Sequence, residues 1–126
     1  MGIIIAKGKS LKLKKALGTA TGDYDMITIK DAFEEIEGAT ATMGRVKVEK
    51  GINVFESFYT NYDEFQHITS GSKIMESEGK VHVIHEGDFV HVQKGTTVTL
   101  RETEGFEAIV ITVPPLKALG HLPEPD

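Results

Sequence analysis

Five glycines, Gly71, Gly79, Gly87, Gly95 and Gly105, punctuate the second half of the chain at steps of 8, 8, 8 and 10 residues. Between them lie short runs rich in Val, Ile, Thr and Phe: KIMES, KVHVIH, DFVHVQ, TTVTLRE and FEAIVITV. Turn signals at such intervals, with β-branched runs between, predict an antiparallel sandwich or barrel. The pairs Glu78-Gly79, Glu86-Gly87, Lys94-Gly95 and Glu104-Gly105 place a glycine where a tight turn needs positive φ.

The first half is less regular, but YDMITIK, TATMGRVKVEKG and NVFESFYT have the same alternating or β-branched character. One segment, DAFEEIEG (31–38), predicts a helix of a turn or two, with Asp31 as N-cap, Glu34 at the capping-box position and Gly38 as the stop. The tail, residues 114–126, holds all four prolines and should leave the sheet as a strap, because proline cannot donate to a ladder. The glycine-spaced units are too short and varied for a solenoid, so a closed double sheet is the simpler architecture.

A chain of 126 residues suits one domain with a full core. With no cysteine, disulfides, thiolate zinc sites and cysteine nucleophiles are excluded, and metal ligands would have to be His, Asp or Glu. No apolar run approaches the roughly 20 residues needed to cross a bilayer, and MGIIIAKGKS lacks the order of a secretory signal; the expected location is the cytoplasm. Lys and Arg number 14, and five of them (Lys7, Lys9, Lys12, Lys14 and Lys15) fall in residues 1–15, which contain no acid; the remainder carries 9 basic against 19 acidic residues. An acidic body repels phosphate backbones, so nucleic acid is not an expected partner. The basic arm, residues 1–20, is expected outside the barrel, where it suits an acidic protein surface.

The stretch YTNYDEFQHITSG (59–71) reads as a strand running into a tight turn, with an unusual polar load. Alternation puts Glu64, Gln66 and Ile68 on one face and Phe65, His67 and Thr69 on the other. A carboxylate facing the inside of a small barrel must find partners or take up a proton. Such a Glu64 is a ligand, a general acid/base or the acceptor of a buried polar network.

From Tyr62 to Val113 the chain resembles the two-motif core of the cupin superfamily. An acid seven residues before a turn glycine, Glu64 and Gly71, resembles the end of the first motif, and GDFVHVQKGTTV (87–98) resembles the second. Within the superfamily the likeness is to the cupin domain of the ethanolamine-utilisation proteins described as acetate-kinase-like, on NYDEF, the hairpin KVHVIHEGDFVHVQKGTTV and a final strand ending in TVPP. The fold implied is all-β, a double-stranded β-helix or jelly roll of two antiparallel sheets.

Metal-binding cupins supply an H-x-H pair and a further histidine besides the glutamate. The matching positions here are Ser57 and Tyr59, or Phe58 and Thr60 in the alternative register, and Val98; Gln93 stands at the second-motif proline. Of the four ligands only Glu64 is kept, so neither metal nor other cofactor is expected. Nor is there a phosphate-cradling G-x-x-x-x-G-K-[ST] element, and the arginines are Arg45 and Arg101 alone, which leaves the kinase description without a motif.

His67 lies opposite Glu64, His82 and His85 fall on opposite faces of one strand, and His121 sits in the tail. His91 shares a face with Phe89 and Gln93, and either that face or the Val90/Val92 face could be the inner one; if inner, it is a usable acid/base. Tyr59 and Tyr62 could donate phenol hydroxyls to a ligand or fill a barrel mouth, and Lys94, in the QKG turn, suits an anion at the rim. The expected site thus has Glu64, Tyr59 and His91 as reacting groups and Gln66, Tyr62, Ser57 and Lys94 as ligand contacts. The expected function is a metal-independent small-molecule pocket in carbon or nitrogen catabolism. The alternatives are a lyase, isomerase or dehydratase using Glu64 as general base, and a non-catalytic assembly or regulatory protein. Apolar residues on both faces of EFQHITS and FEAIVITV predict a homodimer.

Overall fold

The computed structural model describes residues 2, 3, 5, 7, 8, 14–15, 27–31, 40–48 and 53–115. Among the described residues eight strands follow in order: β1 (Lys14–Lys15), β2 (Ile27–Asp31), β3 (Thr42–Val48), β4 (Asn53–Tyr59), β5 (Asp63–Ser77), β6 (Lys80–His85), β7 (Phe89–Val92) and β8 (Thr97–Val113). All pairings are antiparallel. The fold is an all-β jelly roll.

Its architecture rests on two long strands, each of which serves two sheets. The first half of β5 (64–67) pairs with β7, and its second half (72–77) pairs with β6. Strand β8 is used in the same way: residues 97–102 face β4, and 106–112 face β3. β5 and β8 also pair with each other from Asp63↔Val113 to Glu76↔Thr99. One sheet therefore runs β1-β2-β3-β8-β5-β7, and the other runs β4-β8-β5-β6, with β5 and β8 bending from one into the other. The space between holds Val48, Ile68, Met75, Ile84, Val92, Val98, Leu100, Phe106 and Ala108.

All five spaced glycines have positive φ. Gly79, Gly87 and Gly95 lie in turns between strands, as the spacing predicts. Gly71 and Gly105 do not: they lie inside β5 and β8, so the stretch ending at Gly71 continues past it, and TTVTLRE and FEAIVITV form a single strand. The pairing between β5 and β8 slips between Ile68 and Ser70 and again between Gly71 and Lys73. These bulges bend both strands from one sheet into the other. A Cβ on Gly71 would lie 2.0 Å from the carbonyl oxygen of Gly105, an impossible approach.

The bulges also reset which face points inward. Before the bend Glu64, Gln66 and Ile68 are buried; beyond it the buried residues are Lys73 and Met75.

Two further expectations meet the structure here. Asp31 is the last residue of β2 rather than a helix cap, and residues 32–38 of the expected helix lie outside the described residues. Within the basic arm, Lys14 and Lys15 form β1 against Ile29 and Thr28, adding an edge strand to the first sheet. His121 and most of the proline tail lie outside the described residues.

Gly71→Ala should cost about 3 kcal/mol or more, because left-handed strain adds to a backbone collision. Gly79→Ala, at φ +75° with open space around the new Cβ, should cost only about 1 kcal/mol. Urea unfolding of the two variants checks this; equal losses would mean that the bend does not depend on that close approach.

Candidate functional site

Inside the roll, Glu64 and Gln66 stand two residues apart on the inward face of β5, and the Gln66 Nε2 donates to Glu64 Oε2 at 2.7 Å. The chain continues across the bend, where Lys73 Nζ donates to Gln66 Oε1. All three side chains are buried, and Lys73 is only 4% exposed. An acid, an amide and an amine thus form one hydrogen-bonded line between the sheets, with the amide donating to the acid and accepting from the amine. The Lys73 ammonium also lies 4.2 Å from the centre of the Phe106 ring, whose π face contributes about 2 kcal/mol to holding a desolvated cation.

Burial penalises charge at both ends of the line. It raises the Glu64 carboxyl above its ordinary value, against the opposing effects of the Gln66 hydrogen bond and the Lys73 charge. It lowers Lys73 to about 8, against the pull of Glu64. The interior therefore holds an acid readier than usual to keep its proton and an amine readier than usual to lose one. Next to Glu64 across the ladder is Thr112, whose Oγ1 is buried and has no hydrogen-bond partner among the described residues.

The other predicted residues are dispersed. Tyr59 is 64% exposed, beside the Gly95 turn, and Tyr62 is buried. Ser57 pairs through its backbone with Thr99, and its side chain lies outside the described residues. Lys94 is exposed, and its backbone N–H donates to Asp63 Oδ1 at 3.1 Å.

His91, which the sequence leaves open between the two faces of β7, lies on the outer one. Val90 and Val92 take the inner face of β7, which turns His91 outward to stack on Phe65, with ring centres 4.3 Å apart. Its Nε2 lies 3.1 Å from Asp63 Oδ1. The Lys94 N–H, and after it the His91 contact, hold the Asp63 carboxyl below its ordinary range. A parallel stack joins His67 and Phe89, with centres 4.2 Å apart, on the same outer surface.

Lys73 is the residue that sequence reasoning missed. As a turn signal Gly71 ends the face count along the strand, and SKIM offers no clean alternation from which to restart it. The usable signal was a glycine inside a β pattern, which also marks a bulge.

An open cleft of about 590 Å³ enters between β6 and β7. Its lining includes Met75, Ile84, Val92 and Val98, with His82, His91 and Gln93 among the polar groups. Glu64, Gln66 and Lys73 do not line it, but Val92 is the cross-strand partner of Glu64, and Met75 shares the inward face with Lys73.

The cupin metal ligands fit poorly here. Among the described residues no three His, Asp or Glu side chains converge. Val98 is buried in the core, Tyr59 faces outward, and the Thr60 hydroxyl donates to the backbone carbonyls of Gln93 and Thr96. Glu64 is coupled to an ammonium instead of to imidazoles, a donor set unsuited to a divalent cation.

Residues 35–107 match the family of EutQ-like cupin domains. The chain belongs to that family. Similar folds include a putative ethanolamine utilization protein Q of Salmonella typhimurium LT2, with 20% identity over 86% of this chain and 83% of that one at a TM-score of 0.70. The Clostridium difficile EutQ protein is similar at 20% identity, covering 86% and 84% of the two chains, with a TM-score of 0.68. An RmlC-like cupin of Shewanella frigidimarina has 12% identity over 94% and 96%, with a TM-score of 0.69. Curated protein sequences gave no match. Among the described residues no helix is long and apolar enough to cross a membrane.

The pH dependence of stability follows from the buried line. The unfolded chain keeps the Lys73 proton up to about its ordinary 10.5, and the folded chain releases it near 8. Between these values the unfolded state binds more protons, so stability rises with pH. Glu64, with a raised folded value, contributes the opposite limb: its stabilisation is complete below 4.5 and is lost as pH rises through the folded value. Lys73 alone should add about 2 kcal/mol between about pH 7 and pH 10. Urea midpoints measured across that range should climb in the natural protein and stay level in Lys73→Met; a parallel climb in both would remove Lys73 as the cause.

Proposed function

We propose that this cupin is a metal-independent, cytoplasmic small-molecule protein whose interior, centred on Glu64, Gln66 and Lys73, receives a small polar ligand in carbon or nitrogen catabolism. The observation that carries the reading is the buried acid-amide-amine line itself. A core that needed only stability would gain as much from apolar residues of similar size, because desolvating the charges offsets much of their attraction. The Thr112 hydroxyl beside Glu64, without a partner among the described residues, supports a polar guest at the same place. Likeness to ethanolamine utilization proteins supports ligands of a few carbons bearing hydroxyl or amino groups.

Ethanolamine and a panel of two- to four-carbon alcohols, amines and carboxylates, including propan-1-ol, test the proposal by thermal unfolding. At about ten times its dissociation constant a true ligand should raise the melting temperature by about 5 °C. Glu64→Gln keeps the size of the side chain and an acceptor for Gln66, and should fold yet lose that shift. An unaltered shift in the variant would place the ligand elsewhere.

The outer face supports a homodimer as the working form. Phe65 and Phe89 are 42% and 82% exposed, and Met43 and Val113 extend the same apolar surface across β3 and β8. A second copy of this self-complementary face would cover it. Phe89→Asp should leave the fold intact and yield monomers in sedimentation velocity; dimers of unchanged affinity would exclude this face.

A further inference from the structure

We propose that Lys73 is a nucleophilic amine that condenses with a small aldehyde or ketone inside the roll, forming an imine, with Glu64 as its proton shuttle. The inference rests on reading the interior as a ligand chamber, and names both the reacting atom and the substrate class.

Three features of the site lead there. The first is position: Lys73 is turned inward by the bend in β5, is 4% exposed, and has only Gln66 Oε1 as hydrogen-bond acceptor in its described contacts. An amine held by one neutral amide keeps its lone pair available when it is unprotonated. The second is its charge environment. Burial favours the neutral amine, and at about pH 7.5 a group titrating near 8 is free base in roughly a quarter of molecules, against roughly one in a thousand for a lysine of ordinary pKa. The third is a proton carrier: burial keeps Glu64 disposed to hold a proton, and Gln66 ties it into the same line.

The chemistry balances without an external oxidant or reductant. Nζ attacks the carbonyl carbon, a C–N bond forms, and the carbonyl π electrons move to oxygen. Glu64 protonates that oxygen and recovers a proton from nitrogen. Loss of the hydroxyl as water, assisted by the same carboxyl, leaves a C=N bond; the two amine hydrogens depart with the former carbonyl oxygen. Thr112 Oγ1, buried across the ladder from Glu64 and unpartnered among the described residues, is a donor for the carbonyl oxygen before attack. The cleft between β6 and β7 stops short of the line, but its lining residues Met75 and Val92 adjoin Lys73 and Glu64, so a substrate entering from it passes these two side chains. The substrate class is a carbonyl compound of a few carbons.

Reductive trapping tests the proposal. The full chain is incubated at about pH 7.5 with propanal and sodium cyanoborohydride, and propylation of each lysine is followed by peptide mapping. Lys73 should be modified at least about tenfold faster than the exposed Lys80 and Lys94, despite its burial. Cyclohexanecarbaldehyde should label Lys80 but spare Lys73, and Glu64→Gln should slow labelling at Lys73 without affecting Lys80. Labelling of Lys73 no faster than that of Lys80, or only after unfolding in urea, overturns the imine. The chamber and the imine fail separately. Propan-1-ol cannot condense, so a melting shift with propan-1-ol and no trapping at Lys73 overturns the imine alone, and neither shift nor trapping overturns both.

Discussion

The bend at which β5 and β8 cross from one sheet to the other depends on backbone meeting backbone. Gly71 and Gly105 approach so closely that no side chain fits at Gly71, and both adopt φ values disfavoured for other residues. The slipped pairing that accompanies this contact changes the count along β5, and the change decides what is inside. Had the alternation of Glu64, Gln66 and Ile68 run straight through, Ser72 and Ile74 would face the core and Lys73 would face solvent. The bulges invert that order and bring an amine into the space that already holds a carboxyl. The local geometry of two glycines thus fixes the electrostatics of the interior.

That interior is polar at a cost. Moving a carboxylate and an ammonium out of water costs several kcal/mol each, and an amide bridge with one aromatic face recovers only part of it. The shifts of Glu64 and Lys73 in opposite directions express the same imbalance, since each group moves toward its neutral form. A neutral acid and a neutral amine joined by an amide form a hydrogen-bonded line with little charge. The line is therefore responsive in a way an apolar core is not. Lys73, lowered to about 8 by burial, changes its proton occupancy closer to neutrality than an exposed lysine does.

Much of the fold is legible in the residues. The glycine spacing and β-branched runs indicate the antiparallel roll, and alternation assigns Glu64 and Gln66 to one face. What local patterns do not show is whether a glycine ends a strand or bends it, because both uses require the same positive φ. Gly79 and Gly71 differ only in what lies beside them: open space at the first and Gly105 at the second, 34 positions further along the chain. Lys73 was hidden for that reason. His91 was ambiguous for another, since FVHVQ has apolar groups on both faces of β7, and only pairing with the rest of the sheet shows that the valines point inward. The aromatic stacks then give the outer histidines partners on the surface.

The replacement of the cupin ligand positions has a chemical consequence. A divalent cation polarises a carbonyl through a charge that does not titrate, and it needs several converging donors. Here Thr60 is committed to backbone carbonyls, Val98 fills the core, and a cation acting on Glu64, Lys73, is supplied by the chain itself. A lysine in that place differs from a metal in two respects: its charge can be switched off by losing a proton, and once neutral it becomes a nucleophile. Gln66 suits both states, because its carbonyl accepts from the ammonium or the amine and its NH₂ donates to the carboxylate or to the carbonyl oxygen of the protonated acid. An imidazole at that position would add a third titrating group and compete for the same proton. With an amide between them, Glu64 and Lys73 can each change protonation while Gln66 keeps a hydrogen bond to both.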